Sequence, residues 1–199
     1  MTNNYAAIIQ NNIQQLFEMD LSQRAEALAA QLHNAGLTFK AFGQQCVITA
    51  GGITLDQQEE SGPKGIVISL YALQAKADTL VAEPFKSFKE LPGSMPYTGA
   101  FANRTEQALI PYVDRLASAR PEVIDRFDGS EAPAWVSGDF ALVVRPLPKI
   151  ALCYVGYAAD EDFPAAVTCL YSRNADQFLS TDALADLGEY TTKAIKALL

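Results

Sequence analysis

Six charged residues could do chemistry if the fold gathered them: Glu90, Arg104, Asp139, Asp160, Glu161 and Asp162. Packing of the segment 85–104 against the turn at Asp160–Asp162 would form an acidic cluster around one arginine. Hard cations such as magnesium or calcium need several oxygen ligands, and Asp160, Glu161 and Asp162 are the metal-ligand candidates. Paired carboxylates could also do acid–base work if burial split their pKa values. The plainer reading, and the preferred one, is an Arg104–Glu90 ion pair and a solvated acidic turn. Asp-Glu-Asp is no EF-hand loop, because the following glycine and the distal glutamate are missing.

A second group is aromatic. Trp135, Phe85, Phe88, Tyr97 and Phe101 could line an apolar pocket for a small molecule, although such residues are more often core. The ligand-binding candidates are therefore Phe88, Glu90, Tyr97, Phe101, Arg104, Trp135 and Asp139.

Other chemistries lack their residues. His33 is the single histidine, expected near a helix end as a solvated or dipole-paired group. No serine elbow, Gly-x-Gly-x-x-Gly or phosphate-loop lysine pattern occurs, and Gly51-Gly52 reads as a turn. Cys46, Cys153 and Cys169 sit in apolar runs without a C-x-x-C pair, so buried thiols and a reducing cytoplasm are expected. Cys153 and Cys169 lie on strands expected to pair and could be near each other. Zinc and iron–sulfur sites need more ligands at recognisable spacing. No catalytic residue and no cofactor is assigned.

The elements that must position these groups centre on Trp135–Tyr171. Phe140–Val144 is a β-branched run and reads as a strand. Arg145-Pro146-Leu147-Pro148 breaks it, since proline lacks a ladder donor. Lys149–Tyr157 is apolar on both alternating sets, which suits a central strand covered on both faces. An acidic turn leads to a returning antiparallel strand, Ala165–Tyr171.

Before this stretch, Thr2-Asn3-Asn4 can cap a first helix carrying Ile9, Ile13 and Leu16. Leu21–Ala35 reads as a second helix, capped by Ser22 and stopped by Gly36. Strands are expected at Leu37–Phe42, Gln44–Ala50 and Ile53–Leu55, with a loop over Asp56–Lys64. Gly65–Ala77 reads as a buried helix, with a strand through Leu70 as the alternative. The segment 85–101 reads as a loop packed on the body. Helices follow at Thr105–Ser118, restarting at Arg120–Phe127 with Pro121 in its first turn, and at Asp182–Leu199.

The 199 residues carry a net charge of −8, with 49% hydrophobic and 19% charged residues. These values indicate a globular chain and argue against nucleic-acid or anionic-membrane partners, which need a basic surface. No signal peptide and no apolar run near ~20 residues is evident, so a cytoplasmic protein is expected. The expected architecture is α+β: one domain over residues 1–199, a mostly antiparallel sheet, and covering N-terminal, middle and C-terminal helices.

Phe88-Lys-Glu-Leu-Pro-Gly, then Tyr97, Phe101 and Arg104, resembles a motif of a domain-of-unknown-function family numbered 3786. Gly138-Asp139, Pro148, Asp160-Glu-Asp-Phe-Pro-Ala, Leu179 and the closing helix extend the likeness across roughly Gly65–Leu199. The resemblance implies a setting in anaerobic bacteria and archaea. Some relatives carry an iron–sulfur segment, but this chain lacks the cysteines for it. Relatives tend to have an aspartate where Ser172 follows Tyr171, so a role for that aspartate does not carry over. The expected function is a non-catalytic accessory module of anaerobic metabolism that binds a small ligand, metal or protein. The alternative is a metal-dependent enzyme using Glu90, Asp139, Asp160 and Asp162.

Overall fold

The computed structural model describes residues 4–33 and 36–199. Thr2 and Asn3, read as caps, and Asn34 and Ala35, read as a helix end, lie outside the described residues.

The antiparallel strands form two sheets rather than one. The first is a meander of β1 (Gln31–His33), β2 (Gly36–Ala41), β3 (Gln44–Thr49), β4 (Gly52–Leu55) and β5 (Gln58–Glu59), in that order. Phe42 and Gly43 take φ of 50° and 75°, so the β2–β3 hairpin closes through two left-handed residues, which matches strand twist. Asp56 and Gln57 repeat the device with φ of 47° and 68°. The Asp56 carboxylate accepts the Gln45 N–H at 2.9 Å, so part of the expected loop is a small hairpin.

The second sheet contains β6 (Lys86–Ser87), β7 (Ser130–Glu131), β8 (Phe140–Leu147), β9 (Ile150–Tyr157) and β10 (Ala166–Tyr171). Its order is β6-β10-β9-β8-β7. β9 is covered on both faces, as its composition requires. Ile150, Leu152 and Tyr154 enter the main core, while Ala151, Cys153 and Val155 meet Phe85 and Val143. Cys169 sits opposite Tyr154 on the main-core face, so the thiols of Cys153 and Cys169 face opposite ways. The expected proline break lies inside β8, as a bulge between Val144 and Leu147. The Pro146 carbonyl accepts the Phe42 N–H at 2.8 Å and ties the two sheets together.

Among the described residues six α-helices accompany the sheets: α1 (Asn4–Phe17), α2 (Leu21–Leu28), α3 (Pro63–Gln74), α4 (Thr98–Phe101), α5 (Val113–Arg126) and α6 (Thr181–Lys196). None is long and apolar enough to cross a membrane. α3 is the buried helix expected over Gly65–Ala77. α2 is shorter than its alanine-rich pattern suggests. Ala29 turns left-handed at φ 51°, and the Ala30 N–H reaches the Ala25 carbonyl at 2.8 Å. His33 therefore lies on exposed β1, 3.0 Å from Gln31 Oε1, and Gly36 opens β2. Asp20, not Ser22, caps α2, accepting the Ser22 and Gln23 N–H groups at 2.9 and 3.2 Å. Asp20→Ala should cost about 1 kcal/mol in urea unfolding. An unchanged midpoint would show that the cap contributes nothing.

The middle helix is broken up. Residues Ala102–Glu106 form a wide π turn, Gln107–Tyr112 a 3₁₀ stretch containing Pro111, and α5 carries Pro121 in its interior. One apolar cluster runs through both sheets and the helices, with Ile13, Leu28, Ile48, Tyr71, Leu152 and Leu187 fully enclosed.

Candidate functional site

Three aromatic rings fix the segment that follows β6. Phe88 and Phe101 stack with centroids 4.3 Å apart, and Tyr171 of β10 lies 5.9 and 5.8 Å from them. The Tyr171 hydroxyl donates to the Leu184 carbonyl at 2.7 Å, binding α6 to the same cluster. Gly188 allows that close approach, since a Cβ there would lie 2.7 Å from the Tyr171 hydroxyl. The segment 85–101 is thus packed on the body as expected, but as short helical turns.

This junction encloses a cavity of about 180 Å³. Tyr97, Phe101 and Arg104 line one side. Asp182, Asp186 and Glu189, one helical turn apart along α6, line the other. The π turn carries Arg104 to the cavity and turns Glu106 inward. Glu106 Oε1 accepts the Cys169 N–H at 3.0 Å, just beyond the point where β6 stops pairing with β10. Burial pushes the Glu106 carboxyl above its usual range, against the hydrogen bond from Cys169.

Arg104 pairs with Glu189 at 3.1 Å, not with Glu90 as the sequence suggested. Lys193 holds the other Glu189 oxygen at 2.6 Å. Burial opposes the Glu189 charge, but the hydrogen bonds from Lys193 and Arg104 outweigh it and hold the carboxyl below the ordinary range. Asp186 behaves oppositely. Burial raises its pKa, with further upward pressure from Glu189 and Asp182. No described residue donates a hydrogen bond to the Asp186 carboxylate, which is exposed at the mouth of the cleft beside Tyr97.

Of the ligand-binding candidates, the fold brings Tyr97, Phe101 and Arg104 to this cavity, with Phe88 stacked behind Phe101. The others are elsewhere. Glu90 accepts from the hydroxyl and N–H of Ser87 at 2.8 and 2.7 Å, which keeps its carboxyl below the usual range. Trp135 is 53% exposed and donates to Glu83 at 2.6 Å. Asp139 accepts the Ala158 N–H at 2.6 Å. Asp160 accepts the Asp162 and Phe163 N–H groups at 2.9 and 2.7 Å, making an exposed turn with Glu161 and Asp162.

β6 joins β10 at Leu170 and Tyr171, whereas the acidic turn enters β10 at Ala166, roughly 17 Å away along the strand. The segment 85–104 and the Asp160–Asp162 turn therefore do not build one cluster around the β6 end. Among the described residues no three His, Cys, Asp or Glu side chains gather as metal ligands. Asp182, Asp186 and Glu189 were not picked out from the sequence. Their helical spacing was visible, but on the face opposite the apolar stripe by which α6 is recognised.

The chain has no match among curated proteins and none among solved structures. A family model described as Domain of unknown function (DUF3786) matches residues 20–194. That match takes in all ten strands of the described residues and every residue lining the cavity, so the chain belongs to the DUF3786 family of domains of unknown function.

Proposed function

We propose that this protein is a non-catalytic binding module, an accessory component of anaerobic metabolism that takes a small amine-bearing molecule. The open Asp186 carboxylate carries the reading. It faces a small cavity with aromatic walls, and the two neighbouring cations are occupied by Glu189. An ammonium group would pair with this exposed carboxylate and lie against the half-open ring of Tyr97, whose face attracts cations. The family resemblance supports the anaerobic setting. Three buried thiols fit a reducing cytoplasm, and the shared core of the two sheets fits one domain over residues 1–199. The net charge of −8 argues against nucleic-acid and anionic-membrane partners. The metal-dependent alternative gains no support from Glu90, Asp139 and Asp160, whose carboxylates accept hydrogen bonds from their own neighbourhoods.

Titration with benzylamine, followed by amide chemical shifts, tests the reading. Shifts should centre on Tyr97, Arg104 and Asp186, with benzyl alcohol binding about tenfold more weakly, a loss of ~1.4 kcal/mol. Asp186→Asn should bring the amine down to the alcohol's level. Equal binding of amine and alcohol would sink the proposal.

The pH dependence has a definite sign. The raised pKa means that ionised Asp186 works against the fold. Its contribution to stability is fully present below the unfolded-state carboxyl pKa and is lost as pH rises through the folded one. Amine binding needs the ionised form. Affinity should therefore fall on acidification, beginning at a higher pH than an ordinary aspartate would set.

A further inference from the structure

A second cavity, of about 480 Å³, has the opposite charge. Tyr190, Ala197 and Leu198 supply apolar wall, backed by the buried rings of Phe42 and Phe127, and Lys64, Arg126 and Lys193 supply three cations. They come from the start of α3, the end of α5 and the body of α6. No carboxylate side chain lines the cavity, in a chain with 23 acidic and 15 basic residues.

Basic residues near helix ends ordinarily answer the last unpaired carbonyls. Here most of those carbonyls have backbone partners. In α5, Val123, Ile124 and Asp125 accept from Phe127, Gly129 and Asp128, and the Phe127 carbonyl accepts from Arg145. In α6, Lys193, Ile195 and Lys196 accept from Ala197, Leu198 and Leu199. Each cation has one carboxylate partner that is not part of the lining: Lys64 with Glu60 at 3.5 Å, Arg126 with Asp56 at 3.2 Å, and Lys193 with Glu189 at 2.6 Å. A guanidinium has five donors and an ammonium three, so donors remain on all three side chains. The Arg126 stem is also held in place. A Cβ on Gly43 would lie 3.0 Å from Arg126 Cγ, so the stem packs directly on the hairpin backbone.

We propose that this cavity binds a small organic anion, a phosphate or carboxylate on a flat apolar body. The anionic group sits on Arg126, Lys64 and Lys193, and the body lies along Tyr190, Ala197 and Leu198. Arginine with lysine is a donor set that suits phosphate and carboxylate oxygens, and the apolar lining selects against the bare inorganic ion.

Calorimetric titration with phenyl phosphate, benzoate and inorganic phosphate tests the proposal on the full chain. Phenyl phosphate or benzoate should bind with Kd of about 1 mM or tighter, and inorganic phosphate about tenfold more weakly. The double substitution Arg126→Gln and Lys64→Gln should weaken the aryl anion at least about tenfold. Arg126→Lys should retain most binding and guards against a folding artefact. Arg145→Gln, at a cation outside this cavity, should leave binding unchanged. No heat from either aryl anion at about 20 mM would overturn the proposal, as would an equal loss in Arg145→Gln, which marks general charge attraction.

Discussion

Replacing Phe101 by alanine is expected to lower the unfolding free energy by about 3–5 kcal/mol, the usual range for losing a buried ring. Phe101 is 4% exposed, stacks on Phe88 and touches the Tyr171 ring. Its loss opens a cavity where β10, α6 and the turn-rich segment meet. Collapse into that cavity is restricted, because Tyr171 is pinned to the Leu184 carbonyl. Phe101 also walls the amine cavity, so benzylamine binding should fall with stability. Tyr97→Ala separates the two effects. Tyr97 is 38% exposed, so its removal should cost less than about 1 kcal/mol while still weakening the amine. Urea unfolding of both variants checks this. A Phe101→Ala cost below about 1.5 kcal/mol would mean that the rings do not anchor the segment.

Gly129→Ala should be at least as damaging, at about 3 kcal/mol or more, the upper end for overpacking. A Cβ at Gly129 would collide with the Val143 carbonyl oxygen. Both sides of that contact are backbone, so no side chain can swing away. The Gly129 N–H is bonded to the Ile124 carbonyl at 2.8 Å, and the next residue, Ser130, pairs with Val143. Relief would have to separate the end of α5 from β8. Gly99→Ala is the matched control, because nothing lies within 4 Å of its Cβ position. That change should be neutral or stabilising, by up to about 1 kcal/mol of helix propensity. Equal urea midpoints for the two variants would contradict the contact.

The strands β8, β9 and β10 were legible because their apolar residues alternate or fill both faces, and few other structures tolerate that pattern. The apolar stripes of α1 and α6 were legible for the same reason. The end of α2 was not. Ala29 and Ala30 continue a helical composition, and the stop is a left-handed alanine where glycine is the usual signal. The Asp56–Gln57 hairpin was hidden because Asp-Gln is not a common pair for two left-handed residues. The π turn adds a residue to the helical register and so breaks the spacing on which helices are read.

Half of the cavity wall was recognised, in Tyr97, Phe101 and Arg104, because aromatics and an arginine stand out in a turn-rich segment. The other half lies about 80 residues along the chain on α6, and which carboxylate meets Arg104 is decided by tertiary packing rather than by nearness in sequence. Glu90 was the near candidate, but it turns back on Ser87.

The outer strands β1, β5, β6 and β7 are two or three residues long, and all but Leu32 of their residues are polar. Where β6 stops, the carboxylate of Glu106 occupies the next N–H of β10. A second copy of the chain approaching edge-on thus meets few consecutive unpaired backbone groups, and at β10 it meets a half-buried acid in place of a ladder. The carboxylate that completes the sheet also protects crowded copies of the protein from growing into one another strand by strand.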